Sequence, residues 1–518
     1  MSAAEATRSA DLSGESDAYD VVVIGGGPPG EIVAQYAIQD SARTAVIVEH
    51  ELVGGECSYW ACMPSKALLR PIELLDAARH MPGVAALVSD RQIDVPAVLE
   101  RRDSFTSNHS DRWQVQWAND AGIGVIRGRG RLAGPRRVQV TAADGSVRVL
   151  TARHAVVLAT GTTATVPDVP GLRAALPWTS RDVTNLHEVP RRVAVLGGGV
   201  VACESACWLR GLGVRELTVI VRGPALLARN EPFAGELVAQ AFRDSGVRVL
   251  LGTGIDEVRR SNPAATGAGR VHGGELTLRL RGESIGGESI GGESIGGEET
   301  LVVDELVVAA GRTPAGHDLG LDAVGVDVRG SRGFVTTDDQ LAVVGVPGGW
   351  LYAVGDITGR ALLTHMGKYQ ARICGAVIAA RAEGATVAGS RFTDLADDGR
   401  VPQVTFTDPQ VASVGLTEAQ ARAAGVDVET VEHDMAGYAG TSLLRDGYVG
   451  RAKLVIDRAR DTLVGATFVG ADVAELVHAA TVAVVGGVTM EQLWHVVPSY
   501  PTMSEIWLKL LEARGRVG

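Results

Sequence analysis

The chain has 518 residues, is 46% hydrophobic, carries five cysteines and has a formal net charge of −12. That excess of carboxylate repels nucleic-acid phosphate and sets nucleic acid aside as a main partner. Five cysteines cannot build the disulfide framework of a secreted domain and point to a reducing cytoplasm, and no run of about 18 apolar residues offers a membrane span. The length allows about one to four domains. Residues 1–18 are polar and acidic, lack the apolar core of a signal peptide, and read as a disordered tail.

The first element is the apolar run YDVVVI at 19–24, a strand buried on both faces as in a parallel sheet. It runs into Gly25-Gly26-Gly27-Pro28-Pro29-Gly30, where Gly25, Gly27 and Gly30 fit G-x-G-x-x-G, and then into a helix pattern. A second apolar strand at 44–48 ends in Glu49. Strand, turn, helix, strand and acid make a dinucleotide fingerprint: the glycines let the backbone approach a pyrophosphate, and Glu49 can hold ribose hydroxyls. Gly54 and Gly55 then lead to Cys57 and Cys62, a Cys-x4-Cys pair followed by Pro64-Ser65-Lys66 and a helix over 65–78. Thiols near a helix N-terminus feel its positive end, which lowers their pKa from about 8.5 and makes the pair a redox candidate. On spacing alone, two thiols that merely pack are the alternative.

Residues 67–130 read as helix with some loops, ending near Arg127-Gly128-Arg129-Gly130. Strands follow at 136–141, 146–151 and 154–158, the last closing in Ala159-Thr160-Gly161, small residues suited to close approach of a ligand. The opening pattern then repeats. A strand at 192–196 meets Gly197-Gly198-Gly199-Val200-Val201-Ala202, then Cys203, Glu204 and a helix; the next strand, 217–221, ends at Arg222, with Arg229 nearby. Arginine where the first fingerprint has an acid suits a ribose 2′-phosphate and predicts NADPH over NADH. Cys203 and Cys207, one helical turn apart, read as packing behind the turn.

A tandem Gly-Gly-Glu-Ser-Ile repeat fills 282–298 between strands at 275–281 and 299–303 and reads as an expanded hairpin loop. A strand at 306–310 ends in Gly311-Arg312-Thr313-Pro314, and one at 350–354 leads to Gly355-Asp356 and then to Leu363-Thr364-His365-Met366, opening a helix. From about 400 the pattern turns antiparallel: strands within 401–415, 448–456 and 462–469, with helices at 417–424, 472–486, 490–495 and 503–513.

In order and content these motifs resemble the class I pyridine nucleotide-disulfide oxidoreductases over about 19–514. The resemblance implies an α/β fold of two Rossmann-like domains plus a C-terminal α+β interface domain. Its boundaries would be FAD at 19–175 and 316–395, NAD(P)H at 176–315, and dimerisation at 400–518. It implies FAD contacts from Gly25, Gly27, Gly30, Glu49, Gly55, Gly130, Thr160, Gly161, Asp356, Thr364 and His365. For the nicotinamide coenzyme it implies Gly197, Gly199, Ala202, Arg222, Arg229 and Gly311. Lys66 matches a lysine near the flavin that pairs with a glutamate, here Glu204. Cys62 matches the sulfur nearer the flavin, and Cys57 the one that attacks substrate. The implied activity passes electrons from NADPH through FAD to a Cys57–Cys62 disulfide and on to a small acceptor, in a homodimer.

Three positions depart from that pattern. Family disulfide reductases carry a histidine where this chain has Tyr500, while the matching glutamate remains as Glu505. Tyrosine titrates near 10 and can donate but hardly accept a proton at neutral pH, which speaks against an ordinary lipoamide or glutathione reductase. Mercuric reductases resemble this chain in that tyrosine, yet no cysteine follows Cys374 to deliver a metal ion. Tyr59 and Trp60 stand between the cysteines in place of small or polar residues, either as local packing or as an aromatic wall of the substrate pocket. The alternative function is therefore reaction with a non-disulfide molecule such as a quinone or biosynthetic intermediate, or metal reduction. A flavin-binding subunit with little turnover is a third reading, opposed by Lys66, Glu204 and two complete nucleotide sites.

Overall fold

Runs of β-branched residues with no exposed face build the first sheet. Val21, Val22, Val23, Val46 and Ile47 are all fully buried, which only a strand covered on both sides allows. The structure, a computed structural model, describes residues 17–282, 293, 295–397 and 399–515. The expected tail lies outside the described residues up to 16, while Ala18 already opens the first strand; most of the 282–298 repeat also lies outside them.

The chain forms two units, the first taking in residues up to 63, 106–163 and 312–397 and the second the rest. In the first unit the strands run in the order Ile123–Arg127, Ala45–Glu49, Ala18–Ile24, Val147–Leu158, Arg137–Thr141 and Arg129–Leu132, with Leu351–Ala353 also on Val147–Leu158. The pairings around Ala18–Ile24 are parallel. Helices Pro28–Ile38 and Thr364–Ala382 bury Val33, Ala34, Ala37, Ile373, Cys374 and Val377 in one core.

Two expectations need correcting here. The reading of 67–130 as helix and loop missed the edge strand Ile123–Arg127 and the strand Arg129–Leu132. Gly124 interrupts the apolar run of the first, and its parallel partner Ala45–Glu49 lies far off in sequence. The strands expected at 146–151 and 154–158 are one strand that changes partner midway. Its first half pairs antiparallel with Arg137–Thr141 and its second half parallel with Ala18–Ile24, so the polar residues at the change mark a new neighbour, not a turn.

The second unit holds a parallel sheet in the order Arg248–Leu250, Glu216–Ile220, Arg192–Leu196 and Glu305–Val308. Beside it in sequence come Thr253–Arg260, Leu276–Gly282 and Glu298–Val303, all antiparallel, so the two strands flanking the repeat pair as a hairpin requires. The C-terminal sheet is antiparallel, in the order Pro402–Thr405, Gln410–Gly415, Thr462–Gly470, Arg451–Asp457 and Val428–Asp434. The last of these was missed in the sequence because it is a charged edge strand, VETVEHD, whose Glu429, Glu432 and Asp434 mask its Val and Thr.

Candidate active site

The first glycine turn is shaped by steric necessity. Gly25 has φ +104°, and a Cβ there would lie 2.4 Å from Ala159 O. A Cβ on Gly30 would lie 2.0 Å from Gly25 O. Helix Pro28–Ile38 therefore starts tight against the turn, with Gly27 as its N-cap. Glu49 is buried, and its two oxygens accept from Gly26 N at 2.7 Å and Glu51 N at 2.8 Å. Burial pushes its carboxyl up, but hydrogen bonds from His50 and those two N–H groups outweigh it and hold the group below its ordinary value.

Around this turn the same unit gathers further donors and acceptors. Thr160 Oγ1 is buried with no hydrogen-bond partner among the described residues. A Cβ on Gly161 would meet no atom within 4 Å. Asp356 accepts from Thr162 Oγ1 at 2.9 Å, and burial raises its carboxyl above its usual range against the pull of that bond and of Arg312. Gly55 packs where a Cβ would sit 2.8 Å from Gly27 Cα, and Gly54 N donates to Gly26 O at 2.7 Å. Gly130 lies where a Cβ would meet Ile24 Cγ2 at 2.9 Å, so it closes down on the ends of the central strands. An anchored carboxylate, open glycine backbone and an unsatisfied hydroxyl are the donor set that a dinucleotide's ribose and pyrophosphate require.

The cysteines adjoin this turn. Cys57 lies in the short helix Gly55–Tyr59, and Cys62 is the first residue of helix Cys62–Arg79, which begins earlier than expected. Neither is in a disulfide, and the two thiols lie within hydrogen-bonding reach of each other. Cys62 Sγ lies 3.3 Å from Thr364 Oγ1, and Thr364 and His365 are the first residues of helix Thr364–Ala382. The expected lowering of the thiol pKa fails for Cys57. Its hydrogen bond to Cys62 and its burial raise it well above the ordinary thiol value, against weaker lowering from Thr364 and Lys368. Tyr59 is 1% and Trp60 9% exposed, their rings pack on each other and on His109, and Tyr59 Oη donates to Val53 O at 2.9 Å. Both side chains are thus buried packing residues. Glu31, on the first turn of the helix after Gly30, escaped the sequence reading; burial lifts its carboxyl to about 7, with Lys368 opposing.

In the second unit Lys66 Nζ donates to Glu204 Oε2 at 2.7 Å, and Phe406 N donates to Glu204 Oε1 at 2.9 Å. The ammonium also sits 4.7 Å from the centre of the Phe406 ring. Glu204 lies on helix Val200–Gly211, which starts from Gly199. Gly197 repeats the strain of Gly25: its φ is +136°, and a Cβ there would lie 2.4 Å from Ala309 O. Ala202, third in that turn, is fully buried. Cys203 and Cys207 are held up by burial, Cys207 to about 12, as packed thiols are. Arg222 and Arg229 are exposed, just beyond strand Glu216–Ile220. Gly311 O accepts from Thr165 N at 3.0 Å. Tyr500 is 75% exposed, whereas Glu505 is buried, with Oε2 lacking a hydrogen-bond partner among the described residues.

Two family models match: pyridine nucleotide-disulphide oxidoreductase over residues 19–384, and the dimerisation domain of that family over 401–511. The chain belongs to the pyridine nucleotide-disulphide oxidoreductase family, in its class I, and is a flavin-dependent NAD(P)H disulfide oxidoreductase; the family binds FAD and uses pyridine nucleotides. It is 32% identical to a dihydrolipoyl dehydrogenase of Chlorobaculum tepidum over 94% of this chain and 95% of the relative. It is 29% identical to a mercuric reductase of Staphylococcus aureus over 96% of this chain and 82% of the relative. Among solved structures, a Cu(II) complex of the HOCl-induced flavoprotein disulfide reductase RclA from Escherichia coli shares the fold, with TM-score 0.75 and 22% identity over 95% of this chain and 99% of that one. No described helix is long and apolar enough to cross a membrane.

Proposed function

We propose that the protein takes electrons from NADPH and delivers them through the Cys57–Cys62 pair to a small disulfide or another small acceptor. The observation that carries this reading is the cysteine pair itself, two thiols in mutual contact beside Thr364 in the same unit as the first glycine turn. FAD, when bound, supplies two-electron transfer between the nicotinamide and the cysteine disulfide. Gly25, Gly27, Gly30, Glu49, Gly55, Gly130, Thr160, Gly161, Asp356, Thr364 and His365 are the residues we assign to it, and Lys66, fixed by Glu204, is the cation assigned to steady charge there. Gly197, Gly199, Ala202 and Gly311 are assigned to the coenzyme. Arg222 and Arg229 are assigned to its 2′-phosphate, a reading supported by their exposure and the lack of an acid at that strand end.

On the substrate side Cys57 loses its proton and attacks a substrate disulfide, releasing one thiol and leaving a mixed disulfide. Cys62 then attacks Cys57 sulfur, re-forming the Cys57–Cys62 bond and releasing the second thiol. Two electrons and two protons enter the substrate for each turn. Tyr500 and Glu505 are assigned to proton transfer, Tyr500 as a donor because a phenol is a poor base at neutral pH. We assign FAD binding to 19–175 and 316–395, NADPH binding to 176–315 and dimerisation to 400–518. A homodimer is supported by the matched dimerisation domain and by exposed Val482, Val485, Trp494, Val496 and Val497 within it. A reducing cytoplasmic setting fits a chain whose five cysteines are too few for a secreted disulfide framework.

The test is anaerobic titration of the holoenzyme with NADPH. Uptake of four electrons, with a long-wavelength thiolate–flavin band at the two-electron stage, is expected; bleaching after two electrons refutes a working disulfide. The exposed Tyr500 favours a second reading, in which the acceptor is a quinone or other non-disulfide molecule and a Cys57→Ser variant keeps its activity.

A further inference from the structure

Arg222 and Arg229 stand on the connection between strand Glu216–Ile220 and helix Pro232–Asp244. Its middle is tied to the second glycine turn, where Leu227 N donates to Gly198 O at 2.7 Å. Its far end is held by the C-terminal sheet domain. Ser413 Oγ donates to Asn230 Oδ1 at 3.0 Å. Glu418 N donates to Glu231 Oε1 at 2.6 Å, and Lys453 Nζ donates to Glu231 Oε2 at 3.1 Å. The Arg451 guanidinium lies 5.6 Å from the centre of the Phe233 ring. Strand Gln410–Gly415, helix Glu418–Ala423 and strand Arg451–Asp457 therefore converge on the few residues that follow Arg229.

The grip is electrostatic, with a buried Glu231–Lys453 pair at its centre and exposed charges around it. Lys453 also meets Glu418 at 2.6 Å and Glu432 at 3.1 Å. Arg422 pairs with Glu418 and Arg451 with Glu432, so three carboxylates face three cations and the cluster is neutral. Glu231 is 3% and Lys453 5% exposed. A carboxylate left alone at that depth takes up a proton or moves toward water, and either change loosens the hold on the connection at Glu231. A backbone shift at Glu231 carries Asn230 and Arg229 with it, because they adjoin it in the chain.

We propose that Lys453, together with Ser413, is a positioning residue for coenzyme selectivity: the C-terminal sheet holds Asn230 and Glu231 so that Arg229 faces the adenosine 2′-phosphate. The proposal rests on the assignment of Arg222 and Arg229 to that phosphate. Neither Lys453 nor Ser413 touches the coenzyme in this scheme; both act through the connection.

The experiment is anaerobic reduction of the bound flavin in the holoenzyme by NADPH and by NADH, comparing the limiting rate and the half-saturating concentration for each. Lys453→Met is expected to cut the NADPH-over-NADH selectivity about tenfold, the size of losing one hydrogen bond to a charged group. The loss falls in half-saturation for NADPH, with the limiting rate unchanged. Ser413→Ala, which leaves the ion cluster whole, shifts selectivity the same way by about threefold, and Lys453→Arg restores most of it. Inhibition by adenosine 2′,5′-bisphosphate weakens in step, while inhibition by 5′-AMP does not. An equal loss with both coenzymes, or unchanged selectivity in Lys453→Met and Ser413→Ala, overturns the proposal; should Lys453→Met not fold, Ser413→Ala decides alone. If Arg222→Ala and Arg229→Ala themselves leave selectivity unchanged, it is the 2′-phosphate assignment that has failed.

Discussion

Replacing Glu204 by Gln should loosen Lys66 while leaving its surroundings in place. At 2.7 Å a pair of unit charges is worth about 6 kcal/mol at an effective dielectric of about 20 and about 1.5 kcal/mol in water. The Lys66 side chain is 38% exposed and that of Glu204 5%, so solvent screens the cation and the lower figure governs. Glutamine keeps an acceptor for Phe406 N and fills the same volume, so the change removes charge and little else. We expect a loss of about 1–2 kcal/mol in the fixing of the ammonium, which is about tenfold in rate if Lys66 acts on the flavin. The assay is stopped-flow reduction of the enzyme by NADPH for Glu204→Gln, Lys66→Met and the double variant. Because Glu204 acts through Lys66, the double variant should be no slower than Lys66→Met, with a coupling of about 1–2 kcal/mol. Single effects that add to within about 0.5 kcal/mol would refute the reasoning.

Three further outcomes follow from the geometry. Gly25→Ala forces an L side chain to φ +104° and into Ala159 O, a strain of about 1–2 kcal/mol before the overlap is counted; the purified variant should hold less than half the flavin of the parent by absorbance, and full flavin content would contradict the shape of the turn. Because contact with Cys62 and burial raise Cys57, its thiolate is a minor form at neutrality; alkylation of Cys57 in the reduced enzyme should climb steadily with pH, and a plateau below about pH 8 would exclude that protonation state. Partial desolvation and the charge of Asp76 raise Asp408, whose side chain is still 46% exposed, to about 6, with Arg445 opposing. The folded protein holds that proton more tightly than the unfolded chain, so this site's stabilisation is full below about pH 4 and is lost as pH rises from there through about 6; Asp408→Asn should gain thermal stability relative to the parent at pH 8, about half as much at pH 5 and none near pH 3.5, and an equal shift at pH 8 and pH 3.5 would remove the link to this carboxyl.

The two glycine turns were legible before any coordinates because their demands are local. A turn that brings backbone to within 2.4 Å of where a Cβ would sit admits only glycine, so the residue type records the geometry. Buried strands were legible for the same reason, each carrying its burial in its own side chains. The edge strands Ile123–Arg127 and Val428–Asp434 were not, since what makes them strands is a partner distant in sequence or a neighbour that tolerates charge. The aromatic pair shows the same limit. Tyr59 and Trp60 beside a reactive cysteine fit a pocket wall as well as a packed core, and only the hydrogen bond from Tyr59 to Val53 O and the stacking on His109 decide for packing.

The cysteines divide along the same line. Their spacing, the Pro-Ser-Lys that follows and the two fingerprints around them are properties of the sequence, and they determine the family and the redox chemistry. The protonation of Cys57 is not such a property. Helix position alone favours a thiolate, but a neighbouring thiol and burial reverse it, because a pKa depends on every charge and dipole within a few ångströms, whatever its place in the chain. The link from Lys453 and Ser413 to the connection bearing Arg229 lies wholly on the tertiary side. Ser413 stands 183 positions downstream of Asn230 and Lys453 stands 222 downstream of Glu231, and nothing in their own neighbourhood marks them. Sequence determined which chemistry the chain carries; folding decided how tightly each reacting group is held, since contacts between distant segments exist only once the sheets have formed.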